Sequence, residues 1–295
     1  MLSNVTRASR WSGVLPILFL LANAAGLAQE DPLQPYLSAK RPRVLMNSGC
    51  SSQSAEFPRR ALADVLTTVN FPVTFIEDSK LIDRQTLQQF DLFIQSGSVR
   101  MTPESEQALW DFVQNGGGFL ALHNASDGPQ GGPYEKLVGG RFLRHPPPYH
   151  IRMVVTDAGR KHPVTAGVQD FEIYDEHHFV RYDVDSRPAG RGGPAAQLPP
   201  VGGRVPSYSA ADFSSARNVN GAHVLLRGDG MDNSMDELRV AFGEGGISTA
   251  IAGWWQEIGK GRVVFFSPGH TAEVMRHPMM QRLYRNAARW LVKQD

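Results

Sequence analysis

The sequence predicts an α/β protein built on a parallel, doubly wound sheet, and three observations carry that reading. Short apolar strands alternate with helical segments from Arg43 to His123. One of those strands, Gly117 to His123, begins within the run of three glycines 116–118 and continues as apolar Phe119 to Leu122, the pattern of a strand buried on both faces. The chain of 295 residues is long enough to bury one substantial core, so a single domain with insertions is the economical reading.

The N-terminus reads as a secretory signal. Arg7 and Arg10 form a positive start, Val14 to Ala25 an apolar stretch, and Gly26-Leu27-Ala28 a small-residue cleavage site before Gln29. The apolar stretch is short of the roughly 20 residues a membrane span needs, so no stable membrane insertion is expected. The expected organisation is a signal peptide over 1–28, a polar leader over 29–42 and one domain over 43–293. The mature protein is expected to be exported, periplasmic or secreted, and its oligomeric state is not legible.

Without the signal the chain carries 28 basic and 29 acidic residues. No basic stripe or interleaving of basic and aromatic residues appears, which argues against a nucleic-acid partner. Cys50 is the only cysteine, so no intramolecular disulfide can form even in an oxidising compartment. An inert, partly buried thiol is its expected state.

The elements follow in order. Arg43–Asn47 is a strand that breaks at Ser48-Gly49. Phe57 to Val69 has Leu62, Val65, Leu66 and Val69 at helical spacing. Pro72–Ile76 and Asp91–Gln95 are the next strands. Thr102 caps a helix with Pro103 in its first turn and Glu104 and Glu106 at its positive end; Gly116 stops it. Ile151–Val155, Phe171–Tyr182, Ala222–Leu226, Thr249–Trp254 and Arg262–Phe266 are further strands. A last helix aligns Met279, Leu283, Ala287 and Leu291. The segment from about 187 to 220 is rich in Pro, Gly, Ser and Ala and reads as a surface insertion.

Two strands end near histidines, His123 and, through a turn, His270. In a parallel sheet both open onto the edge where ligands bind. His145, His162 and the run Tyr174-Asp175-Glu176-His177-His178 lie between them. Histidines and carboxylates gathered across such a crevice can hold a transition metal or act as acid and base. Plainer roles stand beside these: His162 capping a turn before Pro163, His145 packing under a loop, Asp175-Glu176 forming a solvated turn. His177 and His178 are adjacent, so on a strand only one of them can face a given site. Trp254-Trp255 can be core, a sugar platform or both. Gly259-Lys260-Gly261 lacks phosphate-loop spacing and reads as a tight turn, so no nucleotide cofactor is indicated. No GxSxG serine elbow occurs.

Gly116-Gly117-Gly118-Phe119-Leu120-Ala121-Leu122-His123-Asn124-Ala125 resembles the glycine-rich HxA motif of the ThuA-like (trehalose-utilisation) family. Leu137-Val138-Gly139-Gly140, His145-Pro146, His162-Pro163-Val164-Thr165, Asp175-Glu176, Gly259-Lys260-Gly261-Arg262-Val263 and Gly269-His270 follow in that family's order. The resemblance implies a flavodoxin-like, class I glutamine amidotransferase-like three-layer sandwich with a mostly parallel sheet. His123 would stand where an amidotransferase places its cysteine. One departure is Ser48 to Gln53, where family members often carry an aromatic–His pair.

The resemblance also implies a small-molecule carbohydrate partner. The expected function is metal-assisted elimination or hydrolysis of a keto-sugar or related glycoside by a hydrolase or lyase. A divalent metal would be held by His123, His145, Glu176 and His270, with catalytic work shared among His123, Asp175, Glu176 and His270. The alternative is a non-catalytic carbohydrate-binding or assembly module on the same fold.

Overall fold

Five short strands, each almost wholly buried except at one edge, form the parallel body of the sheet. They are β1 (Val44–Asn47), β2 (Val73–Ile76), β3 (Leu92–Gln95), β4 (Gly118–Leu122) and β11 (Gly261–Phe266). The structure is a computed structural model and describes residues 41–47, 56–145, 148–181, 223–230 and 249–294. The signal sequence, nearly all of the polar leader, the segment around Cys50 and the 187–220 insertion lie outside these residues.

The sheet continues through β10 (Thr249–Ile258), β9 (His223–Gly230), β6 (Tyr149–Val155) and β7 (Phe171–Asp175). Its strand order is β2-β1-β3-β4-β11-β10-β9-β6-β7, parallel from β2 to β11 and antiparallel beyond. A separate antiparallel pair joins β5 (Arg141–Arg144) to β8 (Phe179–Arg181).

The helices are α1 (Glu56–Thr67), α2 (Arg84–Leu87), α3 (Pro103–Gln114), α4 (Pro133–Val138), α5 (Ala272–Arg276) and α6 (Pro278–Leu291). Because strand side chains alternate between faces, each central strand feeds two cores. Met46, Leu120, Leu122, Val264 and Phe266 pack with Leu62, Leu66, Leu283 and Ala287 of α1 and α6. Leu45, Phe93, Phe119, Ala121 and Phe265 pack with Leu109, Val113 and Leu137 of α3 and α4. Helices thus cover both faces, giving the three-layer α/β architecture.

The capped helix forms as its residues dictate. Thr102 Oγ1 accepts from Ser105 N–H at 3.2 Å, Pro103 opens α3, and Gly116 leaves it at φ +116°. Gly118 permits a close approach of layers: a Cβ there would lie 2.9 Å from Leu291 Cβ of α6.

One expectation changes and one open reading is resolved. The strand expected over Phe171–Tyr182 is two strands, β7 and β8, interrupted at Glu176–His178. Long-range hydrogen bonds from the turn after β11 capture this segment and draw it out of the sheet. At Trp254-Trp255, a register shift in β10 accompanies Trp254 turning inward, where it stacks on Phe265 and donates Nε1–H to Val138 O at 2.8 Å. With 1% exposure Trp254 is core and offers no platform to a sugar. Among the described residues no helix is long and apolar enough to cross a membrane.

Candidate functional site

The site is assembled at the carboxyl ends of β4, β7 and β11. β4 stops at Leu122, and His123 adopts φ +48°, a left-handed conformation that non-glycine residues rarely take. Such strained residues persist where their surroundings over-determine them. Here Ser126 Oγ donates to His123 O at 3.1 Å, and His123 Nδ1 lies 2.8 Å from Ser267 O. A carbonyl only accepts, so Nδ1 carries a proton and donates it to Ser267 O, which leaves Nε2 as the ring nitrogen turned to the site.

That nitrogen looks into a cluster. Glu176 Oε2 lies 3.1 Å from His270 Nδ1, 3.4 Å from His145 Nδ1, 3.5 Å from His123 Nε2 and 3.9 Å from His178 Nε2. His123 Nε2 and His270 Nδ1 are 3.3 Å apart. The expected ligands His123, His145, Glu176 and His270 therefore converge, although they come from four separate segments.

His178 is the member that sequence reasoning left out. Only one of His177 and His178 could face the site, and nothing local said which. The interruption after β7 turns His178 inward, its ring 3.9 Å from that of His123 and 4.7 Å from that of Phe142. Ser267 Oγ accepts from His178 N–H at 3.0 Å and lies 3.3 Å from His178 O, clasping its backbone. His177 faces away, with Nε2 3.2 Å from Ile251 O.

Asp175 was expected to carry a proton, and its position argues against that role. It is wholly buried, and Oδ2 accepts from the N–H groups of Gly269 at 2.7 Å and His270 at 3.3 Å. A carboxylate so enclosed does not meet a substrate. The local reasons for His162 are confirmed: its Nδ1 accepts from Val164 N–H at 3.2 Å as a cap.

The electrostatics follow from burial and proximity. Burial opposes ionisation of Glu176, but the imidazoles of His123, His178 and His270 outweigh it and hold the carboxyl far below the ordinary carboxylate range. The Glu176 hydrogen bond raises His270 above the ordinary imidazole value, against the effect of burial. Burial, reinforced by His123, pushes His178 well below that value, so its ring is neutral. Burial raises Asp175, opposed by His123 and by its backbone donors.

These donors fit a divalent transition metal. His178 is 1% exposed, yet neither of its ring nitrogens has a hydrogen-bond partner among the described residues. A buried polar atom without a partner is costly, and a metal bond to Nε2 removes that cost. Ligand atoms of His123, Glu176 and His178 all lie within 4.8 Å of one another. Bonds of about 2.1 Å in a tetrahedral site put ligands about 3.4 Å apart, close to the separations found around Glu176. Several imidazoles with one carboxylate suit Zn, Mn, Fe, Co or Ni better than Mg or Ca.

The sheet, parallel from β2 to β11, with a left-handed residue after the central strand β4, agrees with the glutamine amidotransferase-like fold to which ThuA is related, here with an imidazole at the elbow. Residues 43–189 match the family model ThuA, described as trehalose utilisation, and the chain belongs to the ThuA-like family. Its fold is similar to that of a ThuA-like protein from Bacteroides uniformis ATCC 8492, with a TM-score of 0.60 at 18% identity, over 87% of this chain and 94% of that one. A ThuA-like protein from Parabacteroides merdae ATCC 43184 gives a TM-score of 0.60 at 13% identity, over 87% and 91%. At these identities the likeness is one of fold. No curated protein matches the sequence.

Proposed function

We propose that the chain is an exported enzyme of carbohydrate metabolism that eliminates or hydrolyses the glycosidic bond of a keto-sugar or related glycoside with a divalent transition metal. The observation that carries this reading is the convergence of four imidazoles on the single oxygen Glu176 Oε2. The family's description supports the sugar class, and the apolar N-terminal stretch supports export.

His123, Glu176, His178 and His270 would hold the ion, and His145 would stand beside it. A bound divalent ion would supply Lewis acidity toward a sugar carbonyl or hydroxyl. The chain's own residues divide the remaining work by exposure. His123, His178 and His270 expose 4%, 1% and 31% of their side chains, and they hold. His145, with 37% of its side chain exposed, faces the crevice and is placed to move protons. It accepts the proton from the carbon beside the sugar carbonyl. The electron pair left behind forms a carbon–carbon double bond, the glycosidic C–O bond breaks, and the departing oxygen takes a proton. Water added across the new double bond turns the elimination into a net hydrolysis.

The test is turnover of keto-glycosides by purified protein, before and after chelation and with Mn, Co, Ni or Zn restored. Turnover that needs the metal and is lost in His123→Ala supports the reading. Sugar binding in calorimetry with no turnover under any metal leaves a binding module instead.

A further inference from the structure

We infer that Asp175 is the positioning residue of this site: it suspends the turn that carries His270 and so fixes where that imidazole stands. The inference rests on the metal reading above. Asp175 closes β7, and Glu176 is the next residue, so one short segment supplies both a ligand and the tether of another ligand. The tether is specific. Oδ2 accepts from two successive backbone N–H groups, those of Gly269 and His270, at 2.7 and 3.3 Å, while Oδ1 has no hydrogen-bond partner among the described residues.

The turn Ser267-Pro268-Gly269-His270 needs such a tether. Pro268 has no N–H to offer, and Gly269 sits at φ +149°, open to glycine but strained for other residues. A Cβ on Gly269 would lie 3.4 Å from His123 Cβ and 3.7 Å from Met275 Sδ, so the turn rests against His123 on one side. Asp175 holds its other side. Between these two constraints His270 Nδ1 comes to 3.1 Å from Glu176 Oε2 and 3.3 Å from His123 Nε2. Productive ligand geometry tolerates displacements of only about 0.5 Å, so release of the turn would take His270 out of the set. Hydrogen bonds from N–H to a carboxylate are strong enough to set such a position.

The experiment titrates the full mature chain with cobalt(II), read by calorimetry and by the visible absorption of the bound ion. The variants are D175A, D175N, H270A and D175A/H270A. D175A is expected to weaken cobalt binding by about tenfold or more, the size typical of a lost outer partner of a ligand. D175N keeps an oxygen that can accept both N–H groups and is expected to stay within about threefold of the parent. In the H270A background D175A should cost less than about twofold, because the residue acts through His270.

Parent-like binding by D175A, an equal loss in the H270A background, or a tenfold loss in folded D175N would each overturn the inference. D175A leaves two part-buried N–H groups without an acceptor; if it does not fold, D175N decides alone. A parent chain that takes up no cobalt ends the metal reading, and Asp175 is then judged on metal-free protein. There, long-range nitrogen–proton spectra should show the His270 ring shifted in D175A and unshifted in D175N. An unshifted ring in D175A would overturn the tether.

Discussion

The imidazole of His123 hydrogen-bonds through Nδ1 to the carbonyl oxygen of Ser267 at 2.8 Å, joining the ends of two neighbouring parallel strands. That bond selects the tautomer whose Nε2 faces Glu176, and it does so on a backbone held at φ +48°. Orientation of one ring nitrogen by an outer hydrogen bond is the usual way a protein prepares a histidine for a metal.

The left-handed backbone at His123 makes an unusual prediction. His123→Ala and His123→Gly both lose the imidazole, and both should lose metal-dependent turnover. Alanine meets the left-handed penalty while glycine does not, so the glycine variant should be the more stable by about 1 kcal/mol. Urea unfolding of the two purified variants measures this. An alanine variant more stable than the glycine variant would count against the strained elbow.

Ser267 is predicted to hold His178 through its hydroxyl and His123 through its carbonyl. Ser267→Ala removes only the first of these. It should weaken metal binding by about tenfold while destabilising the metal-free chain by about 1 kcal/mol. Paired calorimetry and thermal unfolding separate the two effects. Unchanged metal affinity would mean that the clasp does not position His178.

His277 caps α6, its Nδ1 accepting from Met279 N–H at 3.3 Å. Burial lowers its imidazole below the ordinary value of 6.5, so the unfolded chain binds the proton more readily than the folded one. Stability from this group is complete above that value. It declines as the pH falls below it and is lost once the folded-state imidazole is protonated. Glu172, Glu273 and His150 line the same small cleft. His277→Asn keeps a capping oxygen and removes the titration, so unfolding should become less dependent on pH between about 5 and 7. A pH dependence identical to the parent's would refute the assignment.

Much of this was legible because central parallel strands are apolar on both faces. Leu45, Phe93, Leu120 and Val264 belong to runs that can only be buried, and Thr102-Pro103 announces its helix. The four converging residues His123, His145, Glu176 and His270 were legible from motif order. His178 was not, because its direction depends on a break after Asp175 set by partners 94 and 89 positions away, Gly269 and Ser267. Asp175 was misread for a similar reason. Paired acids usually stay in solvent, and only the remote N–H groups of Gly269 and His270 make burial of this one tolerable. Trp254 was undecided until the irregular register of β10 with β9 gave it a face.

The central claim is that Glu176 gathers these histidines around one ion. Metal content of the purified mature chain, measured after incubation with zinc or manganese and exhaustive desalting, tests it most directly beside Glu176→Gln. One tightly held ion per parent chain, with the variant's affinity reduced by about tenfold or more, is the predicted result. No retained ion in the parent, or equal retention by Glu176→Gln, would contradict it.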